Sequence, residues 1–163
     1  MRSKSEQIQI RVTPREKARL KRSAAAAGQD VSSYVLSRSL PSSQRRFEHL
    51  LGLMADGTER RYVLAELNDL LSRLAADELA QAIVHADVSR LSLRWRNYVA
   101  AMVEQACHLK GVRPPAWTAE VAPLEVPHFT APLKGLRLHL LRASPVPFKR
   151  RNIFVDTGVG GRV

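Results

Sequence analysis

From Gln7 to Val12 polar and apolar side chains alternate without a break, as Gln7-Ile8-Gln9-Ile10-Arg11-Val12. A period of two is that of a β-strand with one buried face. Ile8, Ile10 and Val12 then share one side, and Gln7, Gln9 and Arg11 the other. What constrains the fold is that no second strand follows. Thr13-Pro14 ends the run, and the pattern turns helical as far as Lys110. A lone strand exposes unpaired edges and has no sheet on which to bury its apolar face. It therefore pairs with the same strand of a second chain, or it forms the edge of a mixed fold.

The next signals are helical. Thr13 is placed as an N-cap, Pro14 at the first helical position, and Glu16 completes a T-x-x-E capping box. This predicts a helix over about 14–27, stopped by Gly28. Leu20, Ala24 and Ala27 share one face, while Arg15, Lys17, Arg19, Lys21 and Arg22 make most of the rest basic. Asp30 caps a second helix with Val31, Tyr34, Val35 and Leu40 as its buried stripe, ended by Pro41. Further helices are expected over 43–54, broken at Asp56-Gly57, then over 58–74, 77–85 and 89–110, with Gly111 as the last cap. Tyr62, Leu67, Leu70, Leu71 and Leu74 would line one of them. Leu93, Trp95, Val99, Met102, Val103 and Ala106 would line the last.

Charge divides the chain in the same places. Residues 1–50 hold 11 Lys/Arg and 4 Asp/Glu, residues 51–111 hold 7 and 8, and residues 112–163 hold 8 and 3. The net charge is +11, which points first to nucleic acid. Basic helix faces are also often only solvated, so the charge alone assigns no contact. The single cysteine, Cys107, permits no internal disulfide, and no Cys/His cluster has metal-ligand spacing. No constellation supplies a nucleophile, a general base or a metal, so no enzyme activity and no cofactor are expected. The ending Gly158-Val159-Gly160-Gly161 lacks the Lys-Ser/Thr of a phosphate loop. No apolar run is long enough to cross a bilayer, so no membrane partner and a cytoplasmic location are expected.

Strand, helix, glycine turn and helix within about 35 residues are too few to bury a core alone. Residues 7–40 resemble the ribbon–helix–helix repressors, the group of the Arc and Met repressors. The resemblance is carried by Gln7–Val12, Thr13-Pro14-x-x-Lys17, Ala27-Gly28 and Val31-Ser32. It implies a homodimer through the N-terminal strand and a palindromic operator DNA read by Gln7, Gln9 and Arg11 in the major groove. It also implies phosphate contacts by Val31 and Ser32 at the start of the second helix, with Lys4 and Lys17 beside them. Asp30 departs from this pattern, because a carboxylate next to a phosphate is electrostatically awkward.

Beyond Gly111, seven of the nine prolines fall within 34 residues, which forbids one long helix. The segment reads as largely extended, with one short helix around 133–142, and it is studded with large apolar residues. Pro114-Pro115-Ala116-Trp117, Pro123-Leu124-Glu125-x-Pro127-x-Phe129, Leu136-Arg137 and the run from Pro147 to Asp156 are similar to the C-terminal halves of bacterial antitoxins paired with nucleotidyltransferase-like toxins. That similarity implies toxin binding by Trp117, Phe129, Phe148, Lys149, Arg150, Arg151 and Phe154. The other reading is that the segment packs on the helices of 58–110 and completes one domain.

The expected fold is thus mainly α: an N-terminal ribbon–helix–helix (1–42), a helical domain (43–111) and an extended proline-rich segment (112–163). The expected function is that of an antitoxin that neutralises a nucleotidyltransferase-like toxin and represses its own operon. The alternative is a stand-alone repressor whose C-terminal domain oligomerises or senses a ligand.

Overall fold

The computed structural model describes residues 9–39, 42–57, 60–131 and 133–155, and the chain divides into two units, 1–40 and 41–163. In the first unit Thr13 and Gly28 bracket α1 (Pro14–Ala26). The Glu16 N–H donates to Thr13 Oγ1 at 3.3 Å, and the Thr13 N–H donates to Glu16 Oε2 at 2.8 Å. These reciprocal bonds satisfy two donors that a helix start leaves open, and such a cap is worth about 1 kcal/mol. At the other end the Gln29 N–H reaches Ala24 O at 3.0 Å and the Gly28 N–H reaches Ala25 O at 3.1 Å. This double closure needs the left-handed backbone that Gly28 adopts, φ +64°. α2 (Val31–Ser39) starts at once, with the Ser33 N–H donating to Asp30 Oδ1 at 2.9 Å.

The expected N-terminal ribbon is not present among the described residues. Residues 9–13 have no regular secondary structure, and the remainder of the predicted strand, Gln7 and Ile8, lies outside the described residues. The physical reason is the one that made the strand conspicuous: a strand exists through its ladder of hydrogen bonds, and nothing among the described residues pairs with Gln9–Val12. Alternation records which side chains could share a face, not whether a partner is there.

The second unit is built around α6 (Leu93–Lys110). α3 (Ser42–Ala55), α4 (Arg60–Arg73) and α5 (Ala76–Ile83) precede it. α3 packs on α4 and α5, and both of these also touch α6. Phe47, Leu50, Met54, Leu67, Leu71, Leu79, Ile83, Val99 and Val103 are fully buried. In α4 the buried stripe is Val63, Leu67 and Leu71, while Tyr62, expected on the apolar side, is 70% exposed. Gly57 breaks the chain after α3 with φ +82°, where Asp56-Gly57 predicts it. Gly111 ends α6 as expected, with the Val112 N–H donating to Cys107 O at 2.9 Å. The Lys110 ammonium donates to Ser72 O and Leu74 O at 2.7 and 2.6 Å, tying the end of α6 to the end of α4.

The segment after Gly111 is not extended. It folds into α7 (Ala116–Glu120), β1 (His128–Phe129), a 3₁₀ turn (Lys134–Leu136), α8 (Arg137–Ala143), α9 (Val146–Lys149) and β2 (Ile153–Phe154). β1 and β2 are parallel, with His128 opposite Ile153 and Phe129 opposite Phe154. The prolines exclude a long helix but start short ones: Pro115 and Pro145 each sit immediately before a helix. α7 and α9 pack on α6, and Phe148, Ile153 and Val155 join its core. Trp117 fixes α7 by donating its indole N–H to Ile83 O at 2.9 Å. Residues 41–111 and the segment that follows them therefore form one unit.

Candidate nucleic-acid interface

The basic residues of α1 are sorted by helical phase. Leu20 and Ala24 turn inward, and Ala24 is buried. Arg15, Arg19 and Arg22 recur at i, i+4 and i+7 and so stand in one row on the side away from Ala24. Lys17 and Lys21 form a second row at i, i+4. All five residues are exposed, and none takes part in the ion pairs found among the described residues. The acidic residue of the helix, Glu16, is held in the capping box. Its hydrogen bonds with the Thr13 backbone and side chain keep its carboxyl below the ordinary value. The negative charge thus stays at the helix start, where the macrodipole favours it.

Arg11 and Gln9 lie just ahead of this helix and are exposed. Gln7 and Lys4, expected to act with them, lie outside the described residues. Val31 and Ser32 open α2 as expected; both are exposed, although Val31 is expected in the buried stripe of that helix. The cap at that end employs Ser33: its N–H meets Asp30 Oδ1 and its hydroxyl donates to Asp30 Oδ2 at 2.6 Å. Asp30 is therefore committed to Ser33, one turn position past the backbone groups of Val31 and Ser32 that a phosphate would use. Between α1, α2 and the entering chain is an open concavity of about 370 Å³, lined by Val12, Glu16, Arg19, Leu20, Ser23 and Tyr34.

The residues expected to bind a partner in the C-terminal segment do not form one surface. Phe148 is 1% exposed and meets Tyr98 edge-on at 5.5 Å. Phe154 is 8% exposed and stacks on half-buried Phe129 at 4.8 Å. Trp117 is half-buried in the core margin. Arg151 is 6% exposed, with Nη2 donating to Glu104 Oε1 at 2.5 Å and Thr118 O at 2.6 Å. Its Nη1 donates to Asn97 Oδ1 and Val121 O, both at 3.2 Å. Lys149 donates to Arg142 O at 2.9 Å, and Arg150 is exposed. Tyr98 and Cys107 are buried with them; burial pushes the Tyr98 hydroxyl up to about 12. Burial, with the Glu104 charge adding to it, pushes the Cys107 thiol up to about 11.

Sequence reasoning names Arg15, Arg19 and Arg22 among five basic residues of the helix but does not separate them as a row, although their i, i+4, i+7 spacing is readable. It also passed over Glu104 and Asn97, whose link to Arg151 spans some fifty residues and carries no local signal. Residues 2–77 match the NikA-like family, described as mobilization protein NikA. That family is DNA-binding and of the ribbon–helix–helix type, so the match supports a DNA-binding protein and fits a regulatory role. No curated protein and no solved structure matches the chain. No helix among the described residues is long and apolar enough to cross a membrane.

Proposed function

We propose that this chain is a DNA-binding regulatory protein that grips the phosphate backbone with α1 and acts as a pair of N-terminal units. The observation that carries the reading is the row of Arg15, Arg19 and Arg22, exposed along one side of a capped helix. Cations in a line can follow a phosphate chain, and releasing its counterions supplies affinity. Lys17 and the first N–H groups of α2, at Val31 and Ser32, add phosphate contacts, while Gln9 and Arg11 supply base contacts to adenine and guanine. Pairing follows from burial. Ile10 is 66% exposed, Val12 41%, Leu36 40% and Val31 37%, whereas Ala24 is the buried residue among those described in this unit. So small a unit cannot shield that apolar surface itself.

Mobilization, the word in the matched family's description, is a better-supported setting than neutralisation of a nucleotidyltransferase-like toxin. The toxin reading relies on tail residues of which Phe148, Arg151 and Phe154 serve the core of their own unit. The test is a salt titration of DNA binding by fluorescence anisotropy. Replacing Arg15, Arg19 and Arg22 by alanine should flatten the dependence of log K on log salt by about one unit for each phosphate that is no longer neutralised. Arg11→Ala should cost about 1–3 kcal/mol and relax sequence preference. An unchanged salt slope and affinity in the triple variant would refute the assignment.

A further inference from the structure

Between Glu125 and Asp156 the chain carries no carboxylate and six Lys or Arg residues. Inside that stretch the structure leaves large apolar side chains uncovered. Leu140 is the buried residue of α8, 1% exposed. Leu138 points away from it and is 69% exposed, and Leu141 is 43% exposed. Leu133 and Leu136 before the helix and Val146 after it are 65%, 43% and 58% exposed. Leu138, Leu141 and Arg142 stand at i, i+3 and i+4, so apolar and basic groups share one face.

This face is held in place from behind. The Ser144 hydroxyl donates to Leu140 O at 2.6 Å and contacts Val155 O at 2.9 Å, while its oxygen accepts the Val155 N–H at 2.9 Å. The Lys149 ammonium closes on Arg142 O, and Arg137 lies 5.1 Å over the Phe129 ring. A backbone fixed in this way loses little freedom on binding.

We infer that this face docks an amphipathic segment of a different, acidic protein, with apolar side chains against Leu138 and Leu141 and carboxylates against Lys134, Arg137 and Arg142. Charge selects that occupant. A second copy meeting this face across a two-fold axis would bring the same carboxylate-free stretch, and like charges across an interface are costly. DNA would reward the cations but leave the leucines in water. A membrane is poorly matched, since α8 has seven residues and commits Leu140 to the core. Exposed apolar clusters rimmed by one sign of charge are a mark of protein docking.

The probe is a designed helical peptide with leucines at i, i+3, i+4 and i+7 and glutamates on its flanks, compared with the same peptide carrying lysines. The full chain should bind the glutamate peptide about tenfold or more tightly than the lysine peptide. Leu138→Ser with Leu141→Ser should weaken it about tenfold. Lys134→Glu with Arg142→Glu should invert the preference without touching an apolar contact. Circular dichroism and DNA affinity should stay at wild-type levels in both variants. Equal binding of the two peptides, or wild-type binding by the leucine variant, overturns the inference. So does finding that the leucine substitutions abolish binding to phosphatidylglycerol vesicles, self-association or DNA binding in place of peptide binding.

Discussion

Arg151→Ala should cost the second unit about 3–5 kcal/mol, the range for removing one partner of a buried ion pair. The guanidinium bonds to four acceptors at once: the Glu104 carboxylate, Asn97 Oδ1, Thr118 O and Val121 O. Its removal leaves those acceptors facing a vacated space, and each buried group without a donor costs about 1–3 kcal/mol. The four do not add. Glu104 keeps 18% of its side-chain surface, so water can reach it. Moreover Arg151 Nε is itself buried without a partner, which lowers the net worth of the native arrangement. The lower half of the range is therefore expected. Both tryptophans, Trp95 and Trp117, belong to the second unit, so urea unfolding followed by their fluorescence reports this unit alone. Arg150→Ala, one residue away and exposed, should change stability by no more than about 0.5 kcal/mol. Combining Arg151→Met with Glu104→Gln should recover part of the stability, because no unpaired charge remains. If Arg151→Ala unfolds within about 1 kcal/mol of wild type, the guanidinium is not the internal tie described here, and its role in binding a partner returns to consideration.

Two more outcomes follow from titrating groups in the same unit. Cys107 is fully buried with its thiol pushed up to about 11, so a thiol reagent at neutral pH should react only as fast as the unit opens, and at once in denaturant; stoichiometric labelling of the native chain within mixing time would contradict the packing. Burial, and then the Arg94 charge, lower the pKa of His128 below its ordinary 6.5. The unfolded chain therefore takes up the proton first, and the stability contributed by neutral His128 is full above about 6.5 and is lost as pH falls toward the lowered folded value. His128→Asn should flatten that part of the urea midpoint's pH profile; superimposable profiles would sink the assignment.

What could be read from the sequence was local. Thr13, Gly28, Asp30, Gly57 and Gly111 each stand where a helix starts or stops, because a cap is decided within four or five residues. The α-helices between them follow from periodicity for the same reason. Gln9–Val12 shows the limit. Its alternation is faultless, but a strand is a relation between two segments, and the other segment is not written in the pattern. The β-strands that do form, His128–Phe129 and Ile153–Phe154, are two residues long and come together across a separation no period could reveal.

The tail's fold escapes a sequence reading for a different reason, which also explains why the residues named for binding are divided between core and surface. Phe148, Phe154 and Trp117 were conspicuous because they are large and aromatic, and large aromatic residues anchor cores as readily as interfaces. Which apolar residues face outward depends on the phase of each short helix, and the prolines restart that phase at Pro115 and Pro145. Leu138 and Leu140 show the consequence: two residues apart and chemically identical, they are 69% and 1% exposed. A residue set drawn from composition must therefore mix the two roles. Only the packed structure subtracts the core, and what it leaves on the surface is leucine and arginine on α8, while Phe148 and Phe154 are buried.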